Sequence, residues 1–284
     1  MRGGVIFARF FKMGCMKPTK TLRGQLFRLT GPIFVETLLI MLLGAMDTFM
    51  LSHYSDDTVA AVGVVNQLLS LVFLVFGVST VGTSVLCSQY LGASQQANVR
   101  QVIGVSLFFN TLIGVTTSAF LYFRAEALLK IMDLAPELIN EGLAYMQIVG
   151  GFAFLQAIAL TMSAVLRSHN KAYYPMRVTL LMNVLNIIGN YALIFGKFGL
   201  PQMGVVGAAI STSSCRAVAL ALLLYITFGK VVPRFSFSCL RPFPWDKLKN
   251  LLHIGLPAAG EQVSYSLSQV VITYFTVMLG TAAL

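Results

Sequence analysis

Three acidic residues, Glu36, Asp47 and Glu261, lie inside long apolar stretches of the sequence. If such a stretch crosses a membrane, a charged side chain at its centre costs about 2.5–3.5 kcal/mol on insertion scales, so an acid found there suggests a function. Glu36 and Asp47 are eleven residues apart, which places them on one helix face and roughly 16 Å apart along its axis. The alternatives are a hydrogen bond to a neighbouring helix for Asp47, and helix capping or snorkelling for Glu36 and Glu261.

A stripe of amides lies in another apolar stretch, where Asn183, Asn186 and Asn190 recur at spacings of three and four residues. This spacing puts the three side chains on one face of a helix. Asparagines inside a membrane hold neighbouring helices together. Their amide oxygens, placed beside a carboxylate, are also suitable ligands for a hard cation. The sequence alone leaves both interpretations open.

Hydroxyl groups follow in the next apolar stretch, where Gly204 and Gly207 precede the run Ser211-Thr212-Ser213. The two glycines predict close packing of this helix on a neighbour. The hydroxyls either bond back to their own helix or face a site. Arg216 lies in the same stretch, and its charge requires an acidic partner or an interface that the sequence does not identify.

Motifs for catalysis are missing from the sequence. It contains no GxxxxGK[ST] nucleotide loop and no HExxH pair, and its three histidines, His53, His169 and His253, are far apart. The four cysteines have no metal-binding spacing. We therefore predict neither an enzyme nor a bound metal or cofactor. An acid in an apolar bundle can instead exchange a proton, or bind Na⁺ where oxygen ligands surround it.

The composition predicts helices that cross a membrane. Of the 284 residues, 57% are hydrophobic and 11% charged, and the mean hydropathy is +0.79, whereas a soluble domain is about 25% charged. A helix that spans the apolar core needs about 20 residues. Seven runs are long enough, at residues 31–53, 59–87, 102–123, 142–166, 175–195, 205–228 and 251–279. The prediction is an all-α polytopic membrane protein.

The charges indicate the orientation of these spans. Seven basic residues and no acid precede the first run, and alternate loops are basic, whereas the loops between them hold most of the acids. The positive-inside rule places the N-terminus in the cytoplasm. The net charge of +10 then reflects topology and not binding to nucleic acid. Met1, Met13 and Met16 all remain candidate starts.

An internal repeat divides the chain. Residues 26–36 and 251–261 share an apolar pair, a basic-type residue, a proline and a glutamate at a constant offset of 225 residues. Six spans followed by a restart in the same orientation indicate two parallel six-helix halves. The expected parts are a basic cytoplasmic N-terminus at 1–29, an N-lobe at 30–228, a cytoplasmic connector at 229–250, and the first helix of a C-lobe at 251–284. The rest of the C-lobe, or a second copy of the chain, would complete the molecule.

From about residue 22 to its end, the chain resembles the multidrug and toxic compound extrusion (MATE) transporters. The matching segments, in order, are Gly31-Pro32 with Ala45-Met46-Asp47-Thr48, Ser88-Gln89-Tyr90-Leu91-Gly92-Ala93, Leu166-Arg167-Ser168 before Tyr174-Pro175-Met176, Asn186-x-x-x-Asn190, and Gly204-Val205-Val206-Gly207-Ala208-Ala209-x-x-Thr212. The resemblance implies twelve helices in two lobes, in the plasma membrane. It also implies export of cationic or amphipathic compounds in exchange for H⁺ or Na⁺.

The resemblance assigns roles to individual residues. Asp47 matches the acid of the family's coupling-ion site, and Asn186, Asn190 and Thr212 match its other positions. Pro32 matches a proline at which the helix bends in some members. Some members have a second acid where this chain has Asn190. Glu36, Glu261, Asn183 and Pro32 form a second tier of candidate transport residues.

Two other functions fit parts of the sequence. A related lipid-linked oligosaccharide flippase has similar halves, but it needs several basic residues in its cavity, and only Arg216 qualifies here. A seven-helix receptor fits the number of spans. It requires an extracellular N-terminus, which the basic residues before the first span argue against.

Overall fold

The chain consists of long apolar helices joined by short turns. The computed structural model describes residues 20–132, 134–199, 201–233, 235, 241 and 243–278. The α-helices in these ranges are α1 (Lys20–Ser52), α2 (Asp56–Gly92), α3 (Gln96–Phe123), α4 (Ala125–Ile131), α5 (Ile139–Tyr145), α6 (Ala153–Ser168), α7 (Tyr173–Ile194), α8 (Gly204–Ile226) and α9 (Trp245–Met278). The described residues contain no strand. The three candidate start methionines lie outside them.

The predicted all-α membrane architecture is confirmed. Within the described residues, five helices are long and apolar enough to cross a bilayer, and a bent pair made of residues 136–150 and α6 provides a sixth. The seventh predicted span forms the 34-residue helix α9. It is more polar, with Glu261, Gln262 and Ser264 in its middle, and it is not one of the five helices named above as apolar enough to cross a bilayer. Its crossing of the membrane stays a prediction.

Helix α1 is longer than the sequence pattern suggests. It begins at Lys20, eleven residues before the predicted start of the span, and it continues through Pro32 to Ser52 without interruption. Lysine, arginine, leucine and glutamine are good helix formers, so the basic segment before the span continues the helix. Of the predicted N-terminal segment 1–29, residues 1–19 lie outside the described part of the chain.

The fourth predicted span is broken and not a single helix. A 3₁₀ turn at Pro136–Leu138 leads into α5, a π-helical turn follows at Met146–Gly150, and α6 begins after a bend of 42°. The break coincides with Gly150 and Gly151, which weaken a helix and pack closely against Leu121 and Tyr122 of α3.

The predicted connector at 229–250 overlaps the ends of two helices. A π-helical turn at Thr227–Val231 extends α8, and α9 already starts at Trp245. Between these ends, residues 234, 236–240 and 242, including Cys239, lie outside the described residues.

The packing of the helices positions the polar residues. Helix α7 packs between α1 and α8, while α2 packs against α3, α6 and α9. The close α7–α8 approach predicted from the glycines is present, because a Cβ at Gly207 would lie 2.6 Å from the carbonyl oxygen of Leu193. Helix α1 is mostly exposed, and Phe34 and Met41 are 63% and 67% accessible.

Candidate ion-coupling site

A chain of hydrogen bonds links the three helices α1, α7 and α8. The Asn190 amide nitrogen on α7 donates to Asp47 Oδ1 on α1 at 2.5 Å and to Asn186 Oδ1 at 3.1 Å. The Asn186 amide nitrogen in turn donates to Thr212 Oγ1 on α8 at 3.3 Å. The four residues that match the family's coupling-ion site therefore lie together.

The site is shielded but not closed. Asn186, Asn190 and Thr212 are buried, whereas Asp47 is half-buried. The buried Asn190 Oδ1 atom has no hydrogen-bond partner. One carboxylate, two amides and one hydroxyl can hold a proton on Asp47 or offer oxygen atoms to a small cation. The role of these residues as a coupling site stays a prediction.

The neighbouring polar residues divide between the site and their own helices. Ser211 donates its hydroxyl hydrogen to the Asn186 carbonyl oxygen at 3.3 Å, which supports the site from α8. Asn183 bonds back to the Thr179 carbonyl oxygen of its own helix at 2.9 Å. The asparagine stripe thus serves two purposes, because Asn186 and Asn190 build the site and Asn183 does not reach it.

A second group of residues adjoins Asp47, and the sequence identified only one of its members. Arg216 lies within electrostatic range of Asp47 and of the buried Tyr145, and the Asn66 side chain is a neighbour of the Tyr145 hydroxyl. The Arg216 guanidinium carbon lies 5.3 Å from the centre of the Phe73 ring. Arg216 was visible as a charge in an apolar stretch, but no sequence signal pointed to Tyr145 or Asn66.

The middle of α1 carries a separate ion pair. Arg167 Nη1 on α6 lies 3.2 Å from both carboxylate oxygens of Glu36, and the two side chains are 25% and 6% exposed. Neither capping nor snorkelling describes Glu36, because α1 begins sixteen residues earlier and the carboxylate is buried. Glu261 is exposed on α9.

Within the described residues, no group of three or more His, Cys, Asp or Glu side chains is placed to hold a metal ion. Cys87 and Cys215 are buried free thiols. Any cation bound here would therefore depend on Asp47 and neutral oxygen atoms.

Comparisons with known proteins agree with the helix arrangement. Two solved structures have the same fold. A MATE protein in complex with MaD3S matches with a TM-score of 0.80 and 23% identity, and the match covers 90% of this chain and 57% of that one. An outward-facing multidrug resistance MATE family transporter matches with a TM-score of 0.79 and 23% identity, and the match covers 90% of this chain and 56% of that one.

Sequence comparison identifies relatives and the family. The uncharacterized transporter YisQ of Bacillus subtilis is 42% identical over 274 residues, which cover 96% of this chain and 60% of YisQ. The probable multidrug resistance protein NorM of Thermotoga maritima is 32% identical over 263 residues, which cover 92% of this chain and 56% of NorM. The chain thus spans little more than half the length of these relatives. The family model MatE matches residues 32–192, and the chain belongs to the MatE family.

Proposed function

We propose that this chain takes part in secondary active multidrug efflux, as an antiporter that exports amphipathic or cationic compounds in exchange for H⁺ or Na⁺. The hydrogen-bonded chain from Asp47 through Asn190 and Asn186 to Thr212 is the observation that carries the proposal. It puts a lone carboxylate, of a kind that binds and releases a small cation, inside an apolar bundle. Relatives named multidrug resistance proteins support the substrate class.

The proposed cycle starts with the transporter open to the outside. Asp47 takes up H⁺ or Na⁺, its negative charge is neutralised, and its hydrogen bond to Asn190 weakens. Helix α1, much of whose surface is exposed, then changes its packing around Pro32 and the compound is released. The ion leaves to the cytoplasm when the molecule resets.

The cellular setting is part of the proposal. We place the chain in the plasma membrane with its N-terminus in the cytoplasm, where the basic loops face the inner surface. Substrates would bind between two six-helix lobes. The second lobe would come from further residues of a C-lobe or from a second copy of the chain.

The test is the isosteric variant Asp47→Asn. Ethidium, an amphipathic cation, serves as the probe in everted membrane vesicles energised by a pH gradient or a Na⁺ gradient. We expect gradient-driven ethidium transport to be lost while the amount of protein in the membrane is unchanged. Asp57→Asn makes the same change at an exposed position in the first turn of α2 and should transport normally. Full transport by Asp47→Asn would refute the proposal.

A further inference from the structure

Arg216 is a buried charge that the proposed cycle does not use. It lies one helical turn after Thr212 on α8, so the two side chains share a helix face. Its Nη1 atom is buried and has no hydrogen-bond partner, and its guanidinium lies against the face of Phe73. A guanidinium in an apolar bundle keeps its charge and needs a negative partner to offset the loss of water.

The groups around Asp47 come from three helices. Asn190 donates to the carboxylate from α7, with Asn186 behind it, and α8 places Arg216 one turn beyond Thr212. Arg216 and Cys215 of α8 and Tyr145 of α5 lie within electrostatic range of Asp47. Among these described neighbours Arg216 is the cation, and the others are neutral in their ordinary forms. The charges of the ionised Asp47 and of Arg216 together sum to zero.

We propose that Arg216 is the fixed counter-charge of Asp47 and that its presence restricts the coupling ion to a proton. The inference rests on the function proposed above and decides between the two ions that it leaves open. A proton needs one lone pair of the carboxylate and gives a neutral acid, so it can be bound without rebuilding the site. The guanidinium then remains as the charge that favours release of the proton.

A sodium ion meets two obstacles here. A metal cation keeps its charge and needs a shell of several oxygen ligands after it leaves water, whereas the Asn190 and Asn186 amide nitrogens point at Asp47 and Thr212. Asn190 Oδ1 is the free acceptor among the site's amide oxygens. The charge of Arg216 also repels a second cation beside Asp47.

The experiment uses the purified full-length protein in proteoliposomes, with ethidium as the probe. A pH gradient is imposed in the absence of Na⁺, and separately a Na⁺ gradient at equal pH. The wild type should transport with the pH gradient and not with the Na⁺ gradient. Arg216→Gln should gain Na⁺-driven transport, with apparent Na⁺ affinity higher by roughly ten-fold or more. Arg216→Lys keeps a charge and should behave like the wild type, as should Arg124→Gln at an exposed position.

A binding measurement tests the inference without transport. The unfolding midpoint of the protein in detergent is compared in sodium and choline chloride at equal ionic strength. We expect no Na⁺-specific shift for the wild type, a stabilising shift for Arg216→Gln, and its loss in Arg216→Gln/Asp47→Asn.

The results distinguish failure of the proton restriction from failure of the proposed antiporter function. Na⁺-driven transport or a Na⁺-specific shift in the wild type would overturn the proton restriction and leave the antiporter function intact. A folded Arg216→Gln that still ignores Na⁺ would exclude Arg216 as the cause of the restriction. If neither gradient drives transport by the wild type, the proposed function itself fails.

Discussion

Asn186 and Asn183 occupy one face of α7 but have different hydrogen-bond partners. Asn186 connects Asn190 to Thr212, whereas Asn183 bonds to its own helix. We therefore expect Asn186→Ala to reduce ethidium transport by about five-fold, because the Asp47–Asn190 pair loses its support from α8, a contact that contributes on the order of 1 kcal/mol.

Asn183→Ala is the matched control, since it removes the same side chain one turn away. It should transport at nearly the wild-type rate. Initial transport rates normalised to protein in the membrane check both variants. Equal loss in the two variants would mean that the stripe acts as a whole in holding helices together, and not through the chain of bonds to Asp47.

The sequence could predict the face of a helix but not its neighbours. The spacing of the asparagines is a local property, so their common face follows from helical geometry. The contact between Asn190 and Asp47 joins residues 143 positions apart, and only the family resemblance brought them together. Tyr145 and Arg167 were missed as neighbours of the acids because aromatic and basic residues are common near span ends, where they contact the membrane interface.

At the scale of helices, the Glu36–Arg167 pair attaches the middle of α1 to α6. Removing one member of a fully buried pair costs about 3–5 kcal/mol, and the partial exposure of Arg167 reduces this to roughly 1–3 kcal/mol. Glu36→Gln and Arg167→Met should each lower the unfolding midpoint in detergent and slow ethidium transport.

The charge exchange Glu36→Arg/Arg167→Glu keeps the two opposite charges together but swaps the helices that carry them. It therefore tests whether the ion pair itself matters, or only the residue at each position. If the pair attaches α1 to α6, the exchange should recover part of the stability and transport lost in Glu36→Arg alone. An exchanged protein no better than that single variant would contradict the attachment.

Gly207 sets the distance between α7 and α8, the two helices that carry three of the four site residues. A Cβ at this position would overlap the Leu193 carbonyl oxygen, so Gly207→Ala should destabilise the protein by about 1–3 kcal/mol. Gly63→Ala on α2 meets no atom within 4 Å and should leave stability unchanged or slightly higher. Thermal unfolding in detergent compares the two variants. Equal unfolding midpoints would show that α7 and α8 can move apart without loss of stability.

The sequence predicted the number and order of the long helices better than their ends. Apolar runs mark where lipid requires a helix, but a helix continues into water wherever good helix formers follow. This is why α1 and α9 begin before their predicted spans. The break between α5 and α6 was not predicted because the residues around Gly150 and Gly151 remain apolar, and hydropathy does not detect a bend.

Over the whole molecule, α9 is joined to α2 by close backbone contact. A Cβ at Gly82 would overlap the Leu251 carbonyl oxygen, and one at Gly255 the Val78 carbonyl oxygen. Lys247 Nζ also donates to the Tyr90 hydroxyl oxygen at 2.8 Å. The start of the predicted second repeat is therefore packed onto α2.

The proposed orientation predicts which turns face the outside. After all four cysteines are replaced, Phe198→Cys and Ser94→Cys place single thiols in turns at opposite ends of the bundle. In intact cells, a membrane-impermeant maleimide should label position 198 and reach position 94 only after permeabilisation. The reverse pattern would invert the topology and place the N-terminus outside.

The length of α1 has a mechanical consequence. Its 33 residues correspond to about 50 Å, against an apolar core of about 30 Å. If the helix turns about its attachment at Glu36, the arm from Glu36 to Lys20 is about 24 Å long and the arm to Asp47 about 16 Å. A displacement of Asp47 would then produce a larger displacement at the Lys20 end, because that arm is longer. A spin label at position 20 would therefore report events at Asp47 from outside the bilayer.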